Sequence, residues 1–497
     1  MADSPLKQKG DLISFSILVN GSEIPGTMNP TEVEVRKEIN KIPTATVVIL
    51  DGNPHDVNFE NSEGGFKPGD EIKITAGYHQ EEETIFEGLI VDHGVAIPDD
   101  SLPELTLKCV DKAAAMTVEK KNRYFPDSTD SDALTKVLGD HPVQGSVEGT
   151  SYVHERMIQF DSSDWDFLVT RSEMNGLIVV VDDGKIDVKK PETSNDVLAL
   201  TYGTDISKIE LKVDSRFQYS KVTAEGWDLS TNEVKQGVSS EPSVPSIGNL
   251  DGPGMSGVLE GKDFRMHTSG PIDPAELKIW ADAKLMRSRY SLIRGKIKFM
   301  GHAAPKPDTT ISLSGLGARF TGSAYVSGVY HRIKDVTWDT EVTIGMSPQM
   351  FSETQKDIGS PPAGGQLPGV HGLQIGTVQK IDADPQGEMR IQVDIPVIAA
   401  SGDGVWARQS TYYATNEAGN FFMPEIGDEV VCGFLNGDPR FPIIVGSVYS
   451  KKHPTAYEAD GPNTYKAITT NSKMKICLLY TSPSPRDLST SRMPSSA

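Results

Sequence analysis

Carboxylate pairs are the residues of this sequence whose types and spacing could do chemistry. Asp182 and Asp183 are adjacent, and Glu425 lies three residues before Asp428. Two carboxylates on either side of a glycosidic bond act as general acid and as nucleophile or base in glycoside hydrolases. The chain has 69 acidic residues, however, so such pairs are expected by chance. We assign no catalytic residue from them, and hydrolysis of cell-wall sugar stays open as the enzymatic alternative.

Other catalytic and metal-binding patterns are missing from the sequence. The ten histidines are dispersed without a His-x-x-x-His motif, and no Gly-x-Ser-x-Gly elbow occurs. Gly315 and Gly317 lack the rest of a dinucleotide fingerprint, so we interpret them as turn glycines. Cys109, Cys432 and Cys477 are too few for a disulfide framework or a four-ligand zinc site. The sequence therefore predicts no catalytic residue, no cofactor-binding residue and no metal ligand.

Tryptophan side chains could instead stack on a sugar ring. Trp165 and Trp280 fall on the apolar faces of predicted helices, and Trp406 falls on a predicted strand. Large aromatic side chains at core-facing positions usually fill a core. We predict that all three are core residues.

The bulk composition excludes several classes of protein. A formal charge of -21 argues against a nucleic-acid partner, because phosphate binding needs concentrated Lys and Arg. No window approaches the roughly 20 apolar residues of a membrane helix, and Met1 to Gly10 lacks the apolar core of a signal peptide. We expect a soluble protein of two or more domains that is made in the cytoplasm.

Short strands separated by turn residues dominate the first part of the chain. Asn20-Gly21 suits the positive φ values of a hairpin turn, and Thr44 to Leu50 is a β-branched run that ends at Asp51-Gly52. Ile72 and Ile74 continue this alternating pattern. These signals predict a β-barrel or sandwich.

A small α/β insertion is predicted next. Ser163 can cap a helix that runs to Asn175, and Gly176 can terminate it. A hairpin is predicted around Asp182-Asp183-Gly184. The carboxylate pair would then lie in the turn.

A second β-rich body contains the best helix signal. Asp273 is a good N-cap, Pro274 fits the first turn, and Glu276 would complete a capping box. We expect this helix to pack on a second barrel. Phe86-Glu87-Gly88 is weakly repeated as Phe320-Thr321-Gly322, as a duplicated barrel would explain.

The last third of the chain begins with a Pro- and Gly-rich run. Gly359 to Gly372 is predicted as a linker because it lacks periodicity. Val430, Cys432 and Phe434 then alternate, which predicts the core of a small barrel. Tyr465 to Ile476 is a polar alternating segment, and its strands would need partners.

Residues 477–497 are expected to be an artefact. The run CLLYTSPSPRDLSTSRMPSSA resembles the conceptual translation of a sequencing adapter, and the alternating pattern stops where it begins. We expect the natural gene to continue past Ile476.

The order of short motifs along the chain resembles the VgrG spike proteins of type VI secretion and related phage tail hubs. In the hub part these motifs are Ile42-Pro43-Thr44-Ala45, Phe66-Lys67-Pro68-Gly69-Asp70, Asp164-Trp165-Asp166-Phe167-Leu168 and Gly317-Ala318-Arg319-Phe320. After the linker they are Gly376-Thr377-Val378, Asp384-Pro385-Gln386-Gly387, Val405-Trp406-Ala407-Arg408, Phe422-Met423-Pro424-Glu425-Ile426-Gly427-Asp428, Asn436-Gly437-Asp438-Pro439 and Pro442-Ile443-Ile444-Val445-Gly446.

The resemblance implies a fold class that is mainly β with a small α/β insertion. The implied parts are a first hub β-barrel (1–115), the insertion (116–197), a second hub β-barrel with one long helix (198–358), a linker (359–372), an OB-fold spike base (373–450), the start of a trimeric β-helix (451–476) and the artefact tail (477–497).

The resemblance also implies partners. It implies a homotrimer whose pseudo-sixfold ring binds a hexameric, Hcp-like tube protein, together with baseplate proteins, a PAAR-like tip protein and effectors. The trimer would be ejected with the tube and would pierce the target membrane mechanically, without enzymatic activity or cofactor. Type VI secretion, a phage tail and an extracellular injection particle stay open as the system, as does a phage tail hub with lysozyme activity.

Overall fold

The computed structural model describes residues 4–5, 12–52, 59, 65–97, 99, 102–260, 263–396, 398, 404–459, 461–463 and 465–479. The chain divides into two compact units, residues 1–359 and residues 360–497. We call them the hub unit and the barrel unit. Most of the predicted tail, residues 480–497, lies outside the described residues.

The described part of the chain is mainly β, as predicted. The strands of the hub unit are β1 (Ile13–Val19), β2 (Ser22–Glu23), β3 (Asn29–Glu38), β4 (Thr44–Leu50), β5 (Glu71–Tyr78), β6 (Glu81–Ala96), β7 (Glu104–Val110), β8 (Lys120–Thr129), β9 (Gln144–Val147), β10 (Val153–Ser163), β11 (Ile178–Asp182), β12 (Lys185–Lys189), β13 (Asp196–Thr201), β14 (Ile206–Val213), β15 (Lys221–Asp228), β16 (Glu233–Val238), β17 (Asp263–His267), β18 (Ile293–Met300), β19 (Thr309–Ser314), β20 (Gly322–Lys334) and β21 (Thr337–Ile344). Those of the barrel unit are β22 (Gln374–Lys380), β23 (Ile391–Asp394), β24 (Val405–Gln409), β25 (Ala414–Thr415), β26 (Ala418–Gly419), β27 (Glu429–Phe434), β28 (Pro442–Ser447), β29 (Tyr465–Thr469) and β30 (Lys475–Leu479). The helices are α1 (Asp130–Gly139), α2 (Asp164–Met174), α3 (Gly252–Met255), α4 (Pro274–Tyr290) and α5 (Phe351–Thr354).

Thirteen of the described strands form one sheet in the hub unit. Its main path is β14-β18-β21-β20-β3-β4-β7-β6-β5-β1-β2, and β19 pairs with both β20 and β13. The antiparallel pair β20 and β3 places Gly328 opposite Glu38 and Lys334 opposite Glu32. Strands from both predicted β-rich bodies therefore share one hydrogen-bonded sheet.

Local sequence signals account for the edges and turns of this sheet. The turn between β1 and β2 has positive φ values at Asn20 (51°) and Gly21 (82°), which confirms the predicted hairpin. On β5, Ile72, Ile74 and Ala76 are at most 1% exposed. Alternate residues of a strand point to the same face, so the predicted alternation builds the core.

The insertion follows its cap and turn signals. The Ser163 hydroxyl accepts a hydrogen bond from the backbone N–H of Asp166 at 3.0 Å and so caps α2. Gly176, with φ at 68°, follows the helix. The β11–β12 hairpin forms around Asp183 and Gly184, both with positive φ. The predicted helix and hairpin are confirmed.

Helix α4 departs from its prediction in two ways. Asp273 caps it by accepting a hydrogen bond from the Ala275 N–H at 2.8 Å, but Glu276 lies 3.7 Å from Arg171 instead of completing a capping box. The helix also packs on a separate three-stranded sheet, β16-β15-β17, and not on a barrel. At Gly237 an added Cβ would lie 2.2 Å from the backbone nitrogen of Lys278, so this glycine permits the close approach of helix and strand.

The described strands of the barrel unit include a closed five-stranded barrel. Its order is β22-β23-β24-β28-β27, with β24 and β28 parallel and the other pairs antiparallel. Val430 and Cys432 are fully buried, and Phe434 packs against the same core. The predicted OB-like barrel and its alternating core strand are confirmed.

The Pro- and Gly-rich run has defined contacts on the barrel side. Its residues Pro362–Gly365 form a turn in which Ala363 is 4% exposed. The Val370 N–H donates to the Gly437 carbonyl at 2.8 Å, and Arg440 donates to Gln366 at 3.0 Å. This part of the segment is folded against the loop before β28.

Candidate assembly surface

Asp182 and Asp183 lie in the turn between β11 and β12, where they hold a buried lysine. Lys37 Nζ lies 2.5 Å from Asp182 Oδ1 and 2.9 Å from Asp183 Oδ1, and Lys37 is 4% exposed. Burial raises the pKa of Asp182, but the charge of Lys37 and a hydrogen bond from Lys306 outweigh it and lower that pKa. A carboxylate held ionised by two lysines cannot supply a proton near neutral pH. The pair therefore braces the insertion against β3.

Glu425 and Asp428 shape a turn before β27. Asp428 Oδ2 accepts a hydrogen bond from the Glu425 backbone N–H at 2.9 Å. The other oxygen, Oδ1, lies 3.7 Å from His453 Nδ1. The Glu425 side chain is exposed. This pair has a turn-forming role in the barrel unit.

The remaining sequence candidates have structural positions as well. Gly315 and Gly317 have φ of 76° and 70°, which confirms the turn. Burial raises the pKa of Cys109 to about 12 and that of Cys432 to about 11, so both stay protonated. The Cys477 side chain lies outside the described residues. Across the described ranges, no group of three or more His, Cys, Asp or Glu side chains could hold a metal ion.

The tryptophans divide between two environments. Trp165 is 5% exposed in the core of the insertion, and Trp280 packs partly buried against the core under α4. Trp406 is not a core residue of the barrel, so that prediction is wrong. Its neighbour Ala407 is the buried residue of β24, and the alternation of a strand turns Trp406 to the other face.

A buried ion pair in the hub unit escaped the sequence analysis. Glu173 and Arg287 are 5% and 7% exposed and are paired directly. Glu173 also accepts a hydrogen bond from Asn40 Nδ2 and one from the Phe351 N–H, both at 2.6 Å. The two residues are far apart in sequence and follow no motif. The pair ties α2 to α4, to the end of β3 and to α5.

This ion pair lines a cavity of about 600 Å³ in the hub unit. A glycoside hydrolase needs a carboxylic acid that is free to donate its proton. Both oxygens of Glu173 are occupied by a guanidinium, an amide and a backbone N–H. Glu173 therefore positions helices and is not free to donate a proton.

The barrel unit carries an unusual amount of apolar surface. Its core cluster has eight buried residues. Between residues 373 and 449, fourteen described large apolar side chains are more than a third exposed, and we call them the barrel apolar surface. They are Leu373, Ile375, Met389, Ile398, Tyr412, Tyr413, Phe421, Phe422, Ile426, Leu435, Phe441, Val445, Val448 and Tyr449.

Exposed apolar side chains in such number indicate an interface. Single exposed apolar residues are normal, but exposed apolar side chains that outnumber the buried residues of a small core favour a binding site or a subunit contact. Tyr412 is 101% exposed, and Phe421 and Tyr449 are each 73% exposed. The barrel apolar surface is therefore the candidate assembly surface.

Comparison with known families decides the class of protein. The family model described as Alg8 N-terminal domain matches residues 9–335, which is 327 of the 497 residues. The chain belongs to this family. A second model, for the type VI secretion system/phage-baseplate injector OB domain, matches residues 374–449 of the same chain.

Curated relatives of this chain include type VI secretion spike proteins. The type VI secretion system spike protein VgrG4b of Pseudomonas aeruginosa is 32% identical over 111 residues, which are 21% of this chain and 14% of that protein. VgrG3 of Vibrio cholerae is 31% identical over 116 residues, which are 21% of this chain and 11% of that protein. The matched part thus covers about a seventh or less of these relatives.

A solved structure supports the fold of the hub. The 43 kDa tail protein of prophage MuSo2 from Shewanella oneidensis has a TM-score of 0.51 to this chain at 11% identity, over 68% of this chain and 99% of that one. The chain is thus similar to VgrG spike proteins and phage tail hubs, and its residues 374–449 match the baseplate injector OB domain. In its described residues, no helix has both the length and the apolar character needed to cross a membrane.

Proposed function

We propose that this chain is the hub and spike protomer of a contractile injection apparatus and joins the tube to the membrane-piercing tip. The observation that carries the proposal is the barrel apolar surface on a barrel that matches the injector OB domain. A barrel that exposes more large apolar side chains than it buries is suited to assembly. In a spike, neighbouring copies would cover that surface.

Three copies form the proposed assembly. The strands β1 to β7, and the strands β13, β14 and β18 to β21, would give each chain two tube-like β-barrels, so a trimer presents six similar surfaces to a hexameric tube protein. The β29–β30 hairpin would be the start of a trimeric β-helix. Its described side chains are mostly exposed, and such strands gain stability by pairing with others.

The proposed mechanism is mechanical and has no catalytic step. The trimer is assembled in the cytoplasm with baseplate proteins, carries a PAAR-like tip and effectors, and is ejected with the tube through the target membrane. The occupied carboxylates support this proposal, because Asp182, Asp183 and Glu173 each hold cations or backbone groups. The acid pair in the barrel unit is part of a turn.

Native mass spectrometry of the unmodified chain, alone and with a hexameric tube protein, tests the proposal. The expected species are three chains, and three chains bound to one hexameric ring. A chain that stays monomeric at about 100 μM, in the weak-affinity range where subunit contacts should still be visible, contradicts it.

A substitution in the barrel unit tests whether the chain acts mechanically or as an enzyme. Glu425→Gln should leave injection unchanged in a strain where injection is otherwise active, because Glu425 contributes a backbone N–H to its turn. Loss of cell-wall hydrolysis with the trimer intact would overturn the non-enzymatic role. Loss of the trimer would show only that the residue supports the barrel.

A further inference from the structure

A groove of about 580 Å³ lies beside the OB-like barrel, and we call it the loop groove. Its apolar lining comes from Ile381 and Met389, in the loop between β22 and β23, and from Phe421 and Met423, in the segment before β27. Met389 is 65% exposed and Phe421 is 73% exposed. The floor of the loop groove is therefore apolar and accessible.

The loop groove and its border carry exposed carboxylates. Asp384 and Arg390, which both line the groove, form an ion pair in which Arg390 Nη2 lies 2.7 Å from Asp384 Oδ1. Asp382 also lines the groove, and Glu388 lies in the chain between the lining residues Gly387 and Met389; both carboxylates are exposed and have no ion pair within 4.0 Å among the described residues. An occupant that satisfies both parts of the groove needs an apolar group next to cations.

The segment that follows β28 has this chemistry. Tyr449 is 73% exposed, and Lys451 and Lys452 are exposed directly after it. Neither lysine side chain has an ion-pair or hydrogen-bond partner in the part of the chain that the structure describes. The turn is held by backbone, since the Ser450 N–H donates to the His453 carbonyl at 3.0 Å. The segment therefore presents an aromatic ring followed by two free cations.

We infer that Tyr449 of one copy occupies the loop groove of the next copy, with Lys451 and Lys452 facing Asp382 and Glu388 there. Within one barrel unit these four charges remain unpaired, so a second copy is the partner that pairs them. The donor segment and the acceptor groove are different surfaces of the same unit. Such a contact is heterologous, and three copies related by threefold rotation close it into a ring.

Two kinds of side chain contribute differently to the contact. Tyrosine buries a large apolar area at little cost in conformational entropy, so Tyr449 would supply most of the affinity. The lysines would fix the direction of the contact, because reversing their sign would place like charges together. This inference rests on the proposed trimer and names residues that would hold its three barrel units together.

Charge reversal and charge exchange in the full-length chain test the inference. Sedimentation velocity would compare the unmodified chain with Lys451→Glu/Lys452→Glu, with Tyr449→Ser, and with a four-residue exchange that adds Asp382→Lys/Glu388→Lys to the lysine variant. We expect each of the first two variants to raise the protein concentration of half-assembly by about tenfold or more, as for desolvated interface contacts. The exchange variant should recover most of that loss, because the charges are again complementary.

A matched control uses lysines of the hub unit. Lys208→Glu/Lys356→Glu makes the same change of charge at two exposed positions without ion-pair partners among the described residues. It should shift half-assembly by less than about twofold. Circular dichroism melting of every variant would show whether its fold is retained.

The outcomes distinguish this inference from the proposed function. A trimer that is indifferent to the lysine reversal overturns the inference and leaves the hub role standing. A reversal that weakens the trimer without recovery in the exchange variant also overturns it, since the lysines would then face another surface. An unmodified chain that never trimerises overturns the proposed function, and the inference fails with it.

Discussion

The hub unit and the barrel unit solve the problem of burial in different ways. One hub core cluster alone has twenty buried residues, from Ile17 to Trp338, and ion pairs such as Lys37 with Asp182 are enclosed around the cores. The barrel unit has a core of eight residues and eighteen large exposed apolar side chains among those described. The hub unit also exposes eighteen among its described residues, but it is more than twice as long and has much larger cores. In the proposed assembly, neighbouring copies would cover the larger exposed share of the barrel unit.

Removing a large side chain from a hub core is expected to have the largest effect. Phe299 is 0% exposed in the core that includes β18 and β21. Phe299→Ala should lower the free energy of unfolding by about 3–5 kcal/mol, through lost transfer energy and a residual cavity. Urea titration at several protein concentrations measures it. Val91→Ala, at a residue 48% exposed, is the matched control and should cost less than about 0.5 kcal/mol. A urea midpoint of hub unfolding that depends strongly on protein concentration would contradict the comparison, because the hub unit would then also need neighbouring copies for its stability.

Breaking a buried hub ion pair is expected to cost more than breaking a partly exposed pair in the barrel unit. Arg287→Met leaves the Glu173 carboxylate buried without its cation, at a cost of about 3–5 kcal/mol. Adding Glu173→Gln should recover part of this loss. Arg440→Met in the barrel unit removes a cation that is itself 47% exposed. Asp438 is 7% exposed but keeps its hydrogen bond from the backbone N–H of residue 440, so the cost should be about 1 kcal/mol. Equal losses in the two units, measured by urea unfolding at pH 7, would contradict the comparison.

Acid should destabilise the hub unit through its insertion. Burial raises the pKa values of Asp130, Asp164 and Asp182, but hydrogen bonds and nearby cations outweigh it, and each pKa lies below the unfolded value of 3.8. A group with a lowered folded pKa stabilises fully above its unfolded pKa, and this contribution is lost as the pH falls through the folded value. Stability should therefore fall steeply below about pH 4.

Asp164→Asn provides the check on that pH dependence. The variant loses the pairs with Lys121 and Arg123, so it should be less stable at pH 7 and less sensitive to pH between about 5 and 3. Urea midpoints at several pH values measure both effects. If the urea midpoint of the variant changes with pH as steeply as that of the unmodified chain, the Asp164 carboxylate is not responsible for the loss of stability in acid.

Deleting the end of the chain is expected to have the smallest effect. Removal of residues 477–497 takes the last three residues from β30, which pairs only with β29 in the described structure. The cost should be below about 0.5 kcal/mol, so the melting temperature should change by less than a few degrees. Removal of residues 480–497 leaves β30 whole and serves as the control. A loss of several degrees in either variant would show that this region stabilises the barrel unit.

Short-range signals made much of this fold predictable from the sequence. The turn at Asn20-Gly21, the Ser163 cap and the alternation of Val430 and Cys432 each depend on neighbours within a few residues. Pairing between distant segments was not predictable in this way. Lys37 meets Asp182 across 145 residues, and the Tyr330 hydroxyl donates to Glu34 across 296 residues.

The wrong or missed predictions all concern which partner, if any, covers a given side chain. Trp406 was assigned to the core because of its size, but the pleat of β24 buries Ala407. The α4 stripe correctly predicted an apolar face, yet the sequence could not identify the three-stranded sheet that receives it. The assembly surface was missed because most of its residues lie in loops, where an exposed apolar side chain and a buried one look alike in sequence.

The Pro- and Gly-rich segment leaves little slack in the chain. Lys120 donates to the Gly359 carbonyl at 2.7 Å within the hub unit. On the barrel side, the turn begins where the Gly364 N–H donates to the Pro361 carbonyl at 3.0 Å. Only one residue, Ser360, separates these anchors, and an extended chain spans roughly 3.3–3.6 Å per residue. In the proposed injection role, a pull on one unit would therefore reach the other through a very short length of backbone, without first drawing out a loose tether.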